Sequence, residues 1–551
     1  MIGRTLKNES ESFQKRPAID FNRPLFTGPW LPVLGSLLSG VLLALGFPGF
    51  GRSTLVFAAL VPLMYAVQNA SVKKAAGLAL LCGFVFFMIS LSWLHNLTGM
   101  VENIGIKISA LAGYAVLALY CALYFVPFGI CVALGCRQWT GGGLWKNIRF
   151  MFAVSMVWVG CEYLRGRLLT GFPWNPIGVS QYANPAIIQV AEWGGVGLVS
   201  AYIVWMNAGI FVTLRQYTHG SRIIKYRPHY ELMLGILPLA FSMMYGMQVI
   251  LNPVDFPDSV HVALIQPNVP QSEKWDYDRE EQIRGRLEEL THAAMRLDGV
   301  DLVIWPETAL PDYVRYSSSS FSLVRRMTAG GTPLLAGSLD VVDTESGRTY
   351  YNSSILFEGG GEVSGRYDKQ HLVPFGEYVP FPSMMRAFTP VEVDLRPGAG
   401  STILSIGEKA PFSVLICFED TVARLAVNAT RAGARWLVNQ TNDGWFDPSS
   451  QSEQHLAHAV FRCIENRIPM ARCCNSGVTC LIDAYGRIER SLAPRTYGFT
   501  TGVLRPRPAD LEQTFYTRSG DLLSPGALVA GLAVFVVLIV NERRSVTGNP
   551  E

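Results

Sequence analysis

Hydrophobic residues are concentrated in eight stretches, seven of them before residue 252 and one close to the C-terminus. A helix needs about 20 predominantly apolar residues to cross the hydrocarbon core of a bilayer, with about 17 as the lower limit. Most of the stretches meet this requirement, whereas 54–69 and 150–164 are marginal. The pattern therefore predicts eight membrane-spanning helices. The predicted spans are 31–47, 54–69, 76–97, 108–135, 150–164, 196–214, 231–251 and 522–541.

Between the seventh and eighth spans the pattern changes to short apolar runs separated by amphipathic segments and turns. Runs of four to six apolar residues that end in turn residues are typical of buried strands. Their alternation with helical patterns predicts a layered α/β domain over residues 255–515. The predicted strands are 260–265, 301–305, 333–338, 351–358, 362–367, 411–417, 436–439, 479–483 and 488–491, and the predicted helices are 278–297, 421–433 and 457–466.

Composition supports a membrane protein, because 49% of the 551 residues are hydrophobic and only 16% are charged. The net charge of +3 gives no indication of a nucleic-acid partner. The ten cysteines form no Cys-x-x-Cys pair and no cluster with metal-ligand spacing, so we expect neither a metal site nor a disulfide framework. We also expect no cofactor.

Lysine and arginine indicate the orientation of the spans, because cytoplasmic loops carry an excess of both. With eight spans, the clusters before span one and after spans two, four, six and eight fall on one side, and Arg165 and Arg167 go against the pattern without outnumbering them. Both termini are therefore predicted to be cytoplasmic and the large domain extracytoplasmic. The predicted order is a tail (1–30), a seven-helix membrane domain (31–251), the large domain (255–515), a C-terminal span (522–541) and a second tail (542–551).

The candidate chemistry lies where predicted strands end. Cys417 follows the apolar run 411–416, Glu307 follows the second strand, and Lys369 follows the fifth. A thiol with a pKa of about 8.5 is mostly protonated at neutral pH and needs a base and a nearby positive charge. Glu307 can accept the proton, Lys369 can stabilise a thiolate and an oxyanion, and Glu377 can hold the lysine or orient the base.

Aromatic residues indicate where an apolar substrate could enter. The loop 171–178 contains Trp174 among Pro and Gly residues, and it fits either an interfacial aromatic belt or the wall of a lipid-accessible site. Trp445 and Phe446 follow the turn residues 442–444, which predicts a mobile gate, although ordinary loop packing stays open.

Several motifs of the large domain together resemble the nitrilase (carbon–nitrogen hydrolase) superfamily. With spans on both sides of this domain, the chain from about residue 30 to 541 resembles the membrane-anchored apolipoprotein N-acyltransferase family. One departure is Phe418, where tyrosine is common in the family, so a ring is kept and a hydroxyl is lost. The motifs are Trp305–Thr308, Lys369–Glu377, Ile416–Glu419, Gln266–Gln271 with Lys274–Trp275, Asn442–Phe446, and Arg462–Arg467 with Asn475–Gly477.

The resemblance implies a fold, a triad and a reaction. The fold is a multi-span helical domain joined to an αββα sandwich, and the triad is Glu307, Lys369 and Cys417, supported by Glu377, Phe418 and Glu419. Trp174, Trp275, Trp445 and Phe446 are the predicted substrate-binding or gate residues.

The implied reaction moves an acyl chain from a phospholipid, typically phosphatidylethanolamine, through a cysteine thioester to the α-amino group of a diacylglyceryl-cysteine lipoprotein. The implied location is the bacterial inner membrane, with catalysis on the periplasmic side. Two alternatives stay open at this point: a membrane-tethered amidase of the nitrilase type, and a catalytically silent module that binds lipoproteins.

Overall fold

The computed structural model of the protein describes residues 28–100, 103–140, 143–219, 228–297, 299–344, 347–386 and 393–547. Nearly all of the predicted tail 1–30 lies outside the described residues, and so does the end of the predicted tail 542–551.

The N-terminal half of the described chain is helical. Five helical stretches are long and apolar enough to cross a membrane: Val72–Ser90, Ile104–Gln138, Ala191–Tyr217, Tyr230–Leu251 and Leu523–Arg544. The helices of this half are α1 (Leu31–Leu45), α2 (Val61–Val67), α3 (Val72–Ser90), α4 (Ile104–Leu123), α5 (Val126–Gln138), α6 (Leu144–Arg165), α7 (Pro185–Ile188), α8 (Ala191–His219) and α9 (Tyr230–Leu251).

Four predicted spans differ in detail from these helices. In the predicted span 76–97, α3 ends at Ser90 and the last residues lie in a 3₁₀ segment, Ser92–Met100. The predicted span 108–135 is divided between α4 and α5. The break lies at residues 124–125, because Pro127, the second residue of α5, has no N–H to donate to the Leu123 carbonyl and its ring crowds that carbonyl. The stretch 54–69 forms a 3₁₀ turn (Ser53–Phe57) followed by the short α2. The stretch 150–164 lies within α6, which begins at Leu144 and has 22 residues.

The large domain contains two sheets. The first has six strands in the order β11-β1-β2-β3-β4-β5, and the second has five in the order β10-β9-β8-β7-β6. Strands β6, β7 and β8 are mutually parallel, and β2 is parallel to β3. The strands are β1 (Val260–Gln266), β2 (Leu302–Ile304), β3 (Leu334–Thr344), β4 (Gly347–Glu358), β5 (Glu362–Asp368), β6 (Phe412–Ile416), β7 (Trp436–Thr441), β8 (Met470–Cys474), β9 (Thr479–Ile482), β10 (Ile488–Leu492) and β11 (Gly498–Leu504).

The sheets are packed face to face between two layers of helices. Alternate residues of β1 and β6, such as Val262 and Val414, share a buried apolar cluster between the sheets, as expected from the two-residue period of a strand. The opposite faces of the sheets are covered by helices, which completes the predicted αββα sandwich. The remaining helices are α10 (Glu280–Met295), α11 (Ser318–Thr328), α12 (Pro382–Met385), α13 (Ala423–Arg431), α14 (Gln451–Asn466), α15 (Phe515–Ser519) and α16 (Leu523–Thr547).

Helix α14 joins the sandwich to the membrane domain. Fifteen of its 16 residues are buried, all except Glu453, since one side faces the second sheet and the other faces the helical half. Three loops of the helical half reach this surface. Gly49 N–H donates to Glu453 at 3.0 Å, Asn96 Nδ2 donates to the Phe446 carbonyl at 2.8 Å, and the 171–178 loop packs along α14.

A second set of helix ends lies together in another part of the molecule. Arg137, at the end of α5, contacts both Glu542 of α16 and the carbonyl of Ala70. Asn147 of α6 donates to Glu231 of α9 at 2.8 Å. The helix ends that were predicted to be cytoplasmic therefore contact one another, while the loops predicted to be on the other side contact the sandwich.

Candidate active site

Three strand ends carry the predicted triad. Glu307 follows β2 by three residues, Lys369 follows β5 directly, and Cys417 follows β6 directly. Strands β2 and β5 run in the same direction in one sheet. Strand β2 pairs with β3 in parallel, and β5 is connected to β3 through two antiparallel pairings, β3–β4 and β4–β5. Their C-terminal ends bring Lys369 Nζ to 3.4 Å from Glu307 Oε1.

A buried group of two carboxylates and one ammonium forms the centre of the site. Lys369 Nζ also lies 2.9 Å from Glu377 Oε1, and Asn352 Nδ2 donates to both carboxylates at 2.8 and 2.9 Å. The second oxygen of Glu307 accepts the Asn442 N–H at 2.9 Å. Burial lowers the pKa of Lys369, but the carboxylates of Glu377 and Glu307 outweigh burial and raise it above its usual value. The lysine therefore stays charged.

A second lysine lies behind Glu307. The Nζ of Lys274 donates to the Glu307 carbonyl at 3.2 Å and to Thr308 Oγ1 at 2.8 Å. Burial lowers the pKa of Lys274 to about 8, although the Glu307 carboxylate opposes the shift. Lys274 fixes the backbone of the turn that carries the acid. In the sequence, Lys274 is distinguished only as part of the motif Lys274–Trp275.

Cys417 lies in a strained turn between β6 and a 3₁₀ segment. Its φ of 52° is in the left-handed region, which is uncommon for residues other than glycine and is often found at functional sites. Burial raises the pKa of the Cys417 thiol, the Glu307 carboxylate raises it further, and Lys369 opposes both effects. The resting group is therefore a thiol, and it needs a proton acceptor before it can act as a nucleophile.

Glu419 connects the Cys417 turn to the Lys369 loop. Its carboxylate accepts the N–H groups of Ile416, Gln370 and His371 at 2.7, 2.6 and 2.9 Å. The hydroxyl of Tyr367 donates to the same carboxylate at 2.7 Å. Burial raises the pKa of Glu419 to about 7, and these hydrogen bonds oppose the shift. Its contacts hold two site loops in register.

The Phe418 ring lies in an aromatic stack that includes side chains of the membrane domain. His371 is stacked at 5.8 Å, and Trp174 and Phe172 are stacked at 6.0 and 6.1 Å. Trp174 is 2% exposed, and its Nε1 donates to Gln454 of α14 at 2.8 Å. The structure thus places Trp174 in the buried contact between the two domains.

The other predicted gate residues differ in exposure. Trp275 and Trp445 are 49% and 43% exposed. Phe446 is half-buried and packs edge-on against Trp93 at 4.6 Å, and its carbonyl is held by Asn96. A role of these residues in lipid entry stays a prediction.

Sequence reasoning missed three contributors to the site: Asn352, His455 and Asn439. Asn352 lies inside β4, and no motif distinguishes it from other strand residues. The side chains of Asn439 and His455 donate to the Cys417 carbonyl at 3.3 and 3.1 Å. Both residues are distant from Cys417 in the chain, so no local sequence pattern predicts that they contact its carbonyl.

Two family models match separate parts of the chain, and solved structures resemble just under half of it. Residues 39–209 match the apolipoprotein N-acyltransferase N-terminal domain, and residues 261–502 match the carbon-nitrogen hydrolase family. A carbon-nitrogen hydrolase from Helicobacter pylori is 14% identical with a TM-score of 0.35, covering 46% of this chain and 90% of that one. An amidase from Nesterenkonia sp. is 17% identical with a TM-score of 0.35, covering 49% of this chain and 98% of that one.

Three relatives match this chain over most of its length. An apolipoprotein N-acyltransferase from Geobacter metallireducens is 35% identical over 518 residues, which are 93% of this chain and 95% of that protein. The apolipoprotein N-acyltransferases from Rhodopseudomonas palustris and Thermotoga maritima are each 29% identical, again over 93% of this chain and 95% of theirs. Together with the two family models, this similarity shows that the chain belongs to the apolipoprotein N-acyltransferase family.

Proposed function

We propose that this chain transfers an acyl group from a phospholipid to the α-amino group of an N-terminal diacylglyceryl-cysteine, through a thioester on Cys417. The observation that carries the proposal is the buried Glu307–Lys369–Glu377 group beside a protonated thiol, in a domain whose helix α14 is packed against a membrane domain. Phosphatidylethanolamine is the expected donor, and the acceptor is a lipoprotein precursor.

In the first half-reaction, Glu307 accepts the thiol proton while the Cys417 sulfur attacks the ester carbonyl of the phospholipid. The carbonyl oxygen becomes an oxyanion that the Lys369 ammonium stabilises. The tetrahedral intermediate then breaks its C–O bond, and Glu307 returns the proton to the leaving glycerol oxygen. The products are an acyl thioester on Cys417 and a lysophospholipid.

In the second half-reaction, the neutral α-amine of the lipoprotein attacks the thioester carbonyl. Glu307 accepts a proton from the attacking nitrogen, and the C–S bond breaks to form an amide and to release the sulfur of Cys417, which recovers its proton. The acceptor carries its own acyl chains, so it reaches the site by diffusion in the membrane. Apolar surface around the thioester keeps water from hydrolysing it.

The proposed location is the bacterial inner membrane, with the sandwich in the periplasm and both termini in the cytoplasm. The Lys/Arg distribution supports this orientation. The contacts among helix ends are in accord with it, because Arg137, Asn147, Glu231 and Glu542 belong to ends that were predicted to lie on one side.

Intact-protein mass spectrometry on the purified full chain tests the proposal. Incubation with phosphatidylethanolamine should add one acyl group to Cys417, and a diacylglyceryl peptide with a free amine should remove it. The same peptide with a blocked amine should leave the adduct in place. Cys417→Ser should abolish the adduct and Glu307→Gln should prevent its formation, whereas Cys480→Ala, which changes a buried cysteine, should not.

Two results would contradict the proposal. If the adduct decays in buffer to free fatty acid whether or not the peptide is present, the chain is a lipid hydrolase. If Cys417→Ser turns over at the normal rate, Cys417 is not the nucleophile.

A further inference from the structure

Four charged side chains form a closed cluster beneath the Cys417 turn. Asp420, Asp443, His455 and Arg472 are each no more than 1% exposed. Arg472 lies 2.7 Å from Asp420 Oδ2 and 3.3 Å from Asp443 Oδ2. His455 lies between the other two carboxylate oxygens, with Nε2 2.8 Å from Asp420 Oδ1 and Nδ1 2.9 Å from Asp443 Oδ1. Two cations and two anions thus balance inside the protein.

The geometry requires His455 to be an imidazolium. A neutral imidazole has one N–H, but both ring nitrogens of His455 face acceptors: Asp443 at Nδ1, and Asp420 with the Cys417 carbonyl at Nε2. Burial lowers the pKa of His455, but the carboxylates of Asp420 and Asp443 outweigh it and raise the pKa to about 9. The cluster therefore directs a charged donor at the Cys417 backbone.

This contact determines which way the next peptide group points. The Cys417 carbonyl accepts His455 Nε2 at 3.1 Å and Asn439 Nδ2 at 3.3 Å, so it faces the cluster. The Cys417–Phe418 bond is trans, and in a trans peptide the C=O and N–H groups point in opposite directions. The Phe418 N–H is therefore turned away from the cluster and can face an oxygen bound to the acyl carbon on Cys417.

We propose that His455, held between Asp420 and Asp443, is a positioning residue that fixes the Cys417–Phe418 peptide so that the Phe418 N–H stabilises the oxyanion together with Lys369. The inference rests on the proposed function, because it concerns the intermediates of that reaction. It also accounts for the φ of 52° at Cys417, since backbone strain of this kind persists only where surrounding contacts enforce it.

A matched pair of neutral variants tests the positioning role. In His455→Gln, the side-chain amide reaches the position of Nε2 and can still donate to the Cys417 carbonyl. In His455→Asn, the amide reaches only the position of Nδ1, beside Asp443. Both variants remove the same positive charge, so their difference reports whether the amide donates to the Cys417 carbonyl or lies beside Asp443.

The expected result is a split between the two variants in the rate at which phospholipid acylates Cys417. His455→Asn should be slower than wild type on the order of 10²-fold, as for the loss of one oxyanion donor. His455→Gln should stay within about tenfold of wild type, because it exchanges a charged hydrogen-bond donor for a neutral one. Intact-mass time courses measure both rates.

Alkylation by iodoacetamide separates positioning from thiol activation. This reaction displaces iodide at a saturated carbon and forms no oxyanion, and the other nine cysteines are buried. The two variants should therefore alkylate Cys417 at equal rates while they acylate it at different rates. Equal acylation rates, or an alkylation rate that differs between them in parallel with acylation, would overturn the proposal.

The wild-type protein and a second site complete the design. If wild type forms no acyl adduct at Cys417, the proposed function fails. If wild type forms the adduct but the two His455 variants acylate Cys417 at the same rate, only the positioning role fails. Should the His455 variants not fold, Asn439→Leu removes the other donor to the Cys417 carbonyl. This variant should also slow acylation without slowing alkylation, and an unchanged acylation rate would count against the proposal.

Discussion

Replacing Lys369 by methionine should affect stability and catalysis by separable amounts. The side chain is 1% exposed and lies between Glu307 and Glu377, so Lys369→Met leaves two carboxylates next to each other without the cation that lay between them. Removing one partner of a buried ion pair costs about 3–5 kcal/mol. We expect the lower end, about 3 kcal/mol, because Asn352 Nδ2 and the Asn442 N–H still donate to Glu307.

The catalytic loss should be on the order of 10²–10³-fold in the acylation rate, the cost of removing one oxyanion-stabilising group. The double variant Lys369→Met/Glu377→Gln separates the two effects, because it removes the repulsion between Glu307 and Glu377 and leaves the oxyanion without its cation. It should recover at least half of the lost stability and none of the lost rate. The single variant Glu377→Gln is the matched control, since Lys369 then still pairs with Glu307.

Chemical unfolding in detergent gives the stability difference, and intact-mass time courses with phosphatidylethanolamine give the rate. If Lys369→Met acylated Cys417 within about tenfold of the wild-type rate, Lys369 would not stabilise the oxyanion. If the double variant recovered rate and stability together, the role of the lysine would be structural only.

Three further predictions concern topology, the gate and pH. A reporter inserted within 215–228 should be cytoplasmic and one within 255–515 extracytoplasmic, and cytoplasmic labelling of the large domain would reverse the proposed orientation. Trp445→Ala should slow acylation by phospholipid more than it lowers the unfolding midpoint, because the ring is 43% exposed; wild-type values for both would exclude a gate. The pKa of His455 is about 9 in the folded protein against an ordinary value of 6.5. Its contribution to the free energy of unfolding is therefore complete below pH 6.5 and is lost as the pH rises through 9. This contribution is about 3 kcal/mol. Unfolding free energies between pH 6 and pH 10 should show this loss in wild type but not in His455→Gln, and equal pH dependence would contradict the assignment.

Local sequence patterns determined most of the secondary structure. Apolar runs located the long helices, and turn residues located the hairpins β4–β5 and β9–β10, because these signals depend on neighbours in the chain. The fold class and the family were confirmed. The strand β11, which pairs with β1 across more than 230 residues, was not predicted, since its partner is distant in sequence.

The strand ends also carried the predicted triad, because acid, lysine and thiol each follow an apolar run directly or within a turn. Sequence alone did not determine what surrounds them. Asn352 bridges Glu307 and Glu377 from the middle of a strand, and its role depends on the register between β4 and β5. These contacts of Asn352 form only in the packed sheet, and the residues next to it in the chain do not predict them.

Only the tertiary structure revealed the charged cluster under Cys417. In the sequence, Asp420 and Asp443 each follow a strand and resemble ordinary solvent-exposed turn residues, while His455 and Arg472 lie in a helix and a strand. In the folded protein all four are buried away from water, so each charge requires an opposite charge beside it. The sequence indicates Cys417 as the predicted nucleophile, because its neighbours in the chain form the motif. The fold decided how its backbone is held, because that depends on residues brought together from four separate elements.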